Sequence, residues 1–380
     1  MLKGMPSRYA QWMYDWETRL TSVDDNRVVR PLDWGVEWTH HWPGRNGAPA
    51  SQSSADLLHY FKSFNDRIIE HSDDFYSYRT PTDFRLERRE VQVFSTRAVP
   101  DPRLEARVRG TYAEFLRFTS PVRTPYPEND MANARWFPAA EKNGRARRAV
   151  VLLPHWNADG LAYNSLCRAL NWMGLSVLRL SLPHHDIRRP KEIHRADYAV
   201  SANIGRTMDA MRQGVIDVRC CLDWLEGRGY EQFGIVGTSL GSCYAFIATA
   251  HDRRIKVAAF NHASTYVADV VWQGQSTRHV REGLEPSIQL DDLRQVWRAV
   301  SPMVYFDKFS RWPRKSLIVY ARYDLTFPPE LSRAVVDEFV RHRLDHKVVV
   351  LPCGHYTMGE TPFKYMDGFQ LAKFLGRSFA

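Results

Sequence analysis

From about residue 106 onward, short apolar runs alternate with amphipathic helical stretches, and this rhythm constrains the fold more than any other feature of the chain. The predicted strands are Glu114–Thr119, Ala134–Pro138, Ala149–Pro154, Ser176–Ser181, Phe233–Gly237, Lys256–Asn261, Ser316–Ala321 and Lys347–Leu351. Most are continuous Val, Leu and Ile runs, the pattern of strands buried on both faces of a parallel sheet. The clearest intervening helix sets Ile204, Met208, Met211, Val215, Val218, Leu222 and Leu225 on one stripe, in steps of four and three. Alternation of this kind predicts an α/β fold, a mostly parallel, doubly wound sheet of about eight strands.

The rhythm breaks once. Between Ser264 and Pro313 two helical stretches, roughly Tyr266–Glu282 and Leu290–Val300, stand where a short connection would serve. An insertion of this length above a sheet is the place for a lid. Residues 1–105 differ in texture, rich in Trp and Asp and poor in alternating apolar positions. They are expected to form an extension packed on the core domain (106–380), with one helix at Ser54–Glu70 after a polar loop. Trp34, Trp38 and Trp42 recur every four residues and read as packing.

Phe233–Ser242 holds Gly237-Thr238-Ser239-Leu240-Gly241, a G-x-S-x-G between a strand and an apolar helix. A serine on so sharp a turn sits in strained backbone, and the residues two positions either side must be small. The turn leaves the Ser239 hydroxyl at a helix amino end, where developing negative charge is favoured, with the Leu240 N–H placed as an oxyanion donor. A hydroxyl needs a base to become a nucleophile, and the base needs an orienting acid. Two further strand ends offer them: Asp324 in Arg-Tyr-Asp-Leu-Thr-Phe-Pro-Pro, and His355 in Pro-Cys-Gly-His-Tyr.

In Gly237–Gly241, Asp324 and Gly354-His355, taken in that order, residues 106–380 resemble the α/β-hydrolase superfamily. The resemblance implies a serine hydrolase with a Ser239–His355–Asp324 triad acting on a small-molecule or lipid-like acyl ester. It places the second oxyanion donor just after the strand ending at Pro154. Here Leu153-Pro-His-Trp-Asn replaces the expected glycines, and by position Trp156 supplies the N–H. His155 and His262 fall near the same edge and are expected to line the substrate pocket. The same triad serves an acyltransferase, thioesterase or peptidase, and a non-catalytic binding protein on this fold is a further reading. The turn Leu182–Pro190 also resembles an under-characterised group of abhydrolase-domain proteins.

His184, His185 and Asp186 are adjacent, and adjacent residues rarely converge on one ion, so they read as structural and no metal is expected. Neither a dinucleotide fingerprint nor a phosphate-loop lysine motif is present, and no cofactor is implied. The formal charge of +9 and the twelve tryptophans leave a peripheral contact with a membrane surface open, whereas no nucleic-acid-binding pattern accompanies the charge. Oligomeric state is not legible. Five scattered cysteines, and an amino-terminal stretch without an apolar block, fit a cytoplasmic protein with reduced thiols.

Overall fold

The computed structural model describes residues 7–23, 26–45, 47, 49, 51–96, 102, 106, 108–140 and 146–379. Its strands are β1 (Arg85–Glu90), β2 (Tyr112–Thr119), β3 (Met131–Phe137), β4 (Arg148–Leu153), β5 (Ser176–Leu180), β6 (Gln232–Thr238), β7 (Ile255–Asn261), β8 (Lys315–Ala321) and β9 (His346–Leu351). They form one sheet in the order β1-β2-β3-β5-β4-β6-β7-β8-β9. Strands β5 to β9 pair in parallel, and β1, β2 and β3 continue the sheet antiparallel.

The period of two along each strand divides the core. Ala149, Val151 and Leu153 of β4 face one apolar layer, and Val150 and Leu152 face the other. The first layer is built by α4 (Ile204–Gly227) and α5 (Leu240–His251), the second by α3 (Asn164–Trp172) and α10 (Phe363–Ser378). All seven residues of the predicted α4 stripe are fully buried. The expected doubly wound α/β sheet is present.

Strand β1 was not legible as a strand. Its sequence, Arg-Leu-Glu-Arg-Arg-Glu, offers one apolar residue, and it is held at the sheet edge by pairing with β2. Glu87 lies within 3.0–3.7 Å of Arg85, Arg89 and Arg117, and such an edge of charge resists pairing with another chain. Residues before 106 therefore contribute to the sheet as well as covering it. The helix α2 runs Ser54–Glu70, as expected, because the Ser53 hydroxyl accepts from Asp56 N–H and caps it. Its Asn65 bonds Val296 O (2.8 Å) and Ala299 N–H (2.8 Å) in the insertion.

Between β7 and β8 the chain makes α6 (Val267–Gln273), α7 (Arg278–Leu284) and α8 (Leu290–Val296), and α9 (Pro329–Arg341) joins β8 to β9. The first predicted helix is thus broken at Gly274, where a Cβ would lie 2.5 Å from Val270 O and 2.6 Å from Thr326 O. Trp34, Trp38 and Trp42 are buried; only a short 3-10 turn, Val36–His41, connects them, and Trp42 donates its indole N–H to Asp209 (2.6 Å). Among the described residues no helix is long and apolar enough to cross a membrane.

Candidate active site

The carboxyl ends of β4, β6, β7, β8 and β9 lie side by side, so the loops that follow them converge. Ser239 is the turn between β6 and α5, at φ 56° and ψ −123°. A Cβ on Gly237 would fall 2.2 Å from Gly241 O, and one on Gly241 2.4 Å from Leu153 O, so both positions exclude a side chain. The turn is tied down by Ser239 N–H to Asn261 O (2.7 Å), and by the Ser242 hydroxyl, which donates to Ser239 O (2.6 Å) and lies 2.9 Å from His262 O. These contacts hold an otherwise unfavourable backbone and keep the hydroxyl fixed.

Asp324 follows β8. Its Oδ1 accepts from the backbone N–H of Thr326 (2.8 Å) and Phe327 (2.6 Å), which fixes the carboxylate's rotation. Its Oδ2 faces two imidazoles: His355 Nδ1 at 2.9 Å and His262 Nδ1 at 2.7 Å. Both rings donate to it from Nδ1. His355 Nε2 then lies 3.0 Å from Ser239 Oγ, and the Phe327 ring stacks on the imidazole at 5.3 Å. Ser239, His355 and Asp324, separated by long stretches of chain, meet in one hydrogen-bonded line.

Charge follows from this geometry. Burial pushes Asp324 up, but the two imidazoles, His355 foremost, outweigh it and hold the carboxyl well below its usual range. Burial alone would lower His355; the Asp324 charge and hydrogen bond, helped by Glu17, raise it instead. His262, wholly buried and beside His355, is lowered. The sequence placed His262 as a pocket residue. It stands behind the acid, with φ 54°, its N–H on Val319 O (2.8 Å) and its Nε2 3.0 Å from Met358 Sδ.

The turn after β4 holds His155 and Trp156. His155 Nδ1 is 2.8 Å from the Tyr163 hydroxyl, and burial pushes its pKa down to about 4, so the ring is neutral at physiological pH. The Trp156 indole donates to Ala196 O (2.9 Å) and stacks against His279 of α7 at 5.8 Å, nearly coplanar at 4°. Its backbone N–H has no acceptor among the described residues. Leu240 N–H is the first of the amino-terminal α5 groups that a helix leaves without an internal partner. Neither the Trp156 nor the Leu240 N–H has an acceptor among the described residues.

One residue of this neighbourhood escaped the sequence reading. Glu17, on α1 (Arg8–Ser22), is fully buried and accepts from Tyr356 N–H (2.7 Å) and Thr357 N–H (3.0 Å), the two residues after His355. Burial raises its pKa and those two hydrogen bonds oppose the rise. The signal was present: Ala10, Met13, Glu17 and Thr21 are one helical face, and a carboxylate on a buried face needs a partner.

Among the described residues one set of groups converges closely enough to hold a metal, His262, Asp324 and His355. Protons already bridge these atoms at hydrogen-bond distance, and an ion there would separate His355 from its acid. His185 Nδ1 lies 2.8 Å from Pro183 O and Asp186 is held by Ser181 and Arg179, whereas the His184 ring packs edge-on against Tyr126 and Tyr198.

No family model and no curated protein matches the sequence. Solved structures do match. Acetyl xylan esterase 1 from a Thermoanaerobacterium species aligns over 92% of this chain and 100% of its own, with TM-score 0.56 at 14% identity. An acetyl xylan esterase from a Paenibacillus species covers 94% and 98%, with TM-score 0.54 at 13% identity. The acylaminoacyl peptidase of Pyrococcus horikoshii aligns over 77% of this chain, with TM-score 0.52 at 12% identity; the match spans 42% of the peptidase's length. The chain has the α/β-hydrolase fold. In an α/β-hydrolase the carboxyl edge of the parallel strands carries the reacting groups, and that is the edge where Ser239, Asp324 and His355 meet.

Proposed function

We propose that this protein is a serine hydrolase that cleaves a carboxylic ester through an acyl-enzyme. The observation that carries the reading is the 3.0 Å approach of His355 Nε2 to Ser239 Oγ, with His355 Nδ1 on a buried Asp324. His355 takes the proton of Ser239 as Oγ bonds to the acyl carbon, and the carbonyl pair moves onto oxygen. Leu240 N–H and Trp156 N–H receive that oxyanion. The imidazolium passes its proton to the departing alkoxide, leaving Ser239 acylated and an alcohol free. Water then adds to the acyl carbon with His355 again as base, and the acid leaves. Asp324 orients the ring and stabilises its charged form; it stays ionised throughout.

Ester cleavage is favoured because alkoxides leave more easily than amines, and because the two acetyl xylan esterases share the fold along nearly their whole length. Amide cleavage is the second reading, supported by the likeness to the acylaminoacyl peptidase. The α6–α8 insertion serves as the lid: His279 of α7 lies on Trp156, so a shift of α7 would reach the oxyanion turn directly. Wild-type protein is expected to hydrolyse p-nitrophenyl acetate and to take up a fluorophosphonate, with Ser239→Ala losing both. Labelling that survives in Ser239→Ala overturns the assignment. Faster turnover of an acylated peptide anilide than of its ester would move the reading to a peptidase.

A further inference from the structure

A second feature stands apart from that site. Helices α3 and α10 lie against each other, and Met173, just past the end of α3, is laid over Gly376, where a Cβ would sit 1.9 Å from its Cε. Across the joint runs an uncovered apolar stripe. Trp172 is 89% exposed, Tyr365 68% and Phe369 60%, and Met173 and Met366 are exposed as well. Steps of three and four (366, 369, 373, 376) keep the α10 members on one face. Large side chains exposed together, rather than singly, mark a contact surface.

The exposed charges on the two helices are of one sign. Arg168, Lys364, Lys373 and Arg377 are exposed on the two helices, whereas α3 carries no acid and the single acid of α10, Asp367, is buried against Asn261. Lys364 Nζ lies 5.4 Å over the Tyr365 ring and Lys373 Nζ 5.6 Å over Phe369. The lysine stems thus lie along the apolar surface while their ammonium groups reach its rim. At the start of α10 the buried Phe363 ring packs on Trp16 of α1 (6.2 Å), which in turn meets the exposed Trp12 (5.1 Å).

We propose that this α3–α10 face docks onto an anionic lipid surface. Aromatic side chains rimmed by lysine and arginine suit the boundary between headgroups and acyl chains, where ring bodies are buried and cations meet lipid phosphates. A second copy of the same face is disfavoured by charge, since a two-fold contact would set four cations against four. The inference does not depend on the hydrolase reading, and a failure of either leaves the other standing.

The test is co-sedimentation of the full chain with vesicles of phosphatidylglycerol or of phosphatidylcholine. Binding is expected to the anionic vesicles alone, and to fall away as ionic strength rises from about 0.1 M to about 1 M. Trp172→Ser with Phe369→Ser, and separately Lys364→Ala with Lys373→Ala, are each expected to weaken it on the order of tenfold or more. Trp312→Ser, an exposed tryptophan elsewhere (44%), is the control and should bind as wild type. No binding, equal binding to both lipids, or loss of binding in Trp312→Ser would overturn the proposal. So would sedimentation as a dimer that Trp172→Ser with Phe369→Ser makes monomeric, without vesicle binding.

Discussion

Two of the buried charge networks in this molecule invite comparison, and one of them ends at a serine hydroxyl. In the first, Arg188 donates Nε to Asn129 O (2.9 Å), Nη1 to Ser181 O (3.0 Å) and Nη2 to Asp217 (2.8 Å), and Asp217 also accepts from the Ser120 hydroxyl (2.7 Å). Every bond closes on backbone or on a fixed partner, and both charges are wholly buried. In the second, Asp324 is equally buried and equally well bonded, but the line runs on through His355 to a serine hydroxyl at the sheet edge. The first network ties elements together; the second sets an imidazole nitrogen 3.0 Å from a hydroxyl oxygen. Buried charge by itself says nothing of chemistry. What matters is whether the chain of bonds terminates in a group with somewhere to send a proton.

Variants can separate the two. The largest effect is expected from Asp324→Asn, which keeps the shape, sets the wrong imidazole tautomer and lowers kcat about ten-thousand-fold; its thermal stability should also fall at neutral pH, because the lowered carboxyl pKa stabilises the fold there. Next, Arg188→Met leaves Asp217 buried without its cation and should cost about 3–5 kcal/mol in denaturant unfolding. Activity per folded molecule should be retained, and a large loss of kcat in that variant would dissolve the distinction. Smaller again is Glu17→Gln, which removes the negative charge holding the Tyr356–Thr357 backbone. It should lower kcat/KM about tenfold by loosening His355, and move the acid limb of the pH profile to lower pH, since Glu17 helps raise His355. Conversely, His262→Phe removes a donor from Asp324 and a neighbouring imidazole from His355. Both changes raise His355, so its acid limb should move to higher pH, with a loss of only a few-fold in kcat.

The wild-type pH profile carries a sign of its own. His355 must be neutral to act as base, and its pKa is raised above the ordinary 6.5, so activity should climb as pH rises through a value higher than 6.5. Stability runs the other way. A histidine raised in the folded state contributes stability that is full below the unfolded pKa and is lost as pH rises through the folded one. Activity titration against urea midpoints across that window would show the two curves crossing.

Much of this was readable from sequence for steric reasons. Gly237 and Gly241 are required by backbone oxygens 2.2–2.4 Å from where a Cβ would stand, so the serine turn is written in residue type. Asp324 and His355 were found because strand ends in a parallel sheet share one edge. The α2 boundary was legible from the polar loop before it, and the structure adds the Ser53 cap that fixes it there. Strand β1 was hidden, because an edge strand made of charge has no apolar alternation to read. The second imidazole on Asp324 was hidden differently. His262 and Asp324 are 62 residues apart, and that they touch follows from β7 lying beside β8, a matter of strand order rather than of local pattern.

Glu17 and the Tyr356 N–H that it holds are 339 residues apart along the chain. During synthesis α1 leaves the ribosome 339 residues ahead of the backbone that it holds. The buried carboxylate therefore waits through that whole interval for its partner, and the histidine turn is fastened only after Tyr356 has emerged. A nascent chain carries Ser239 long before it carries His355, and a fragment trimmed of α1 would keep Ser239, Asp324 and His355 yet lack the clasp on the loop that bears the histidine.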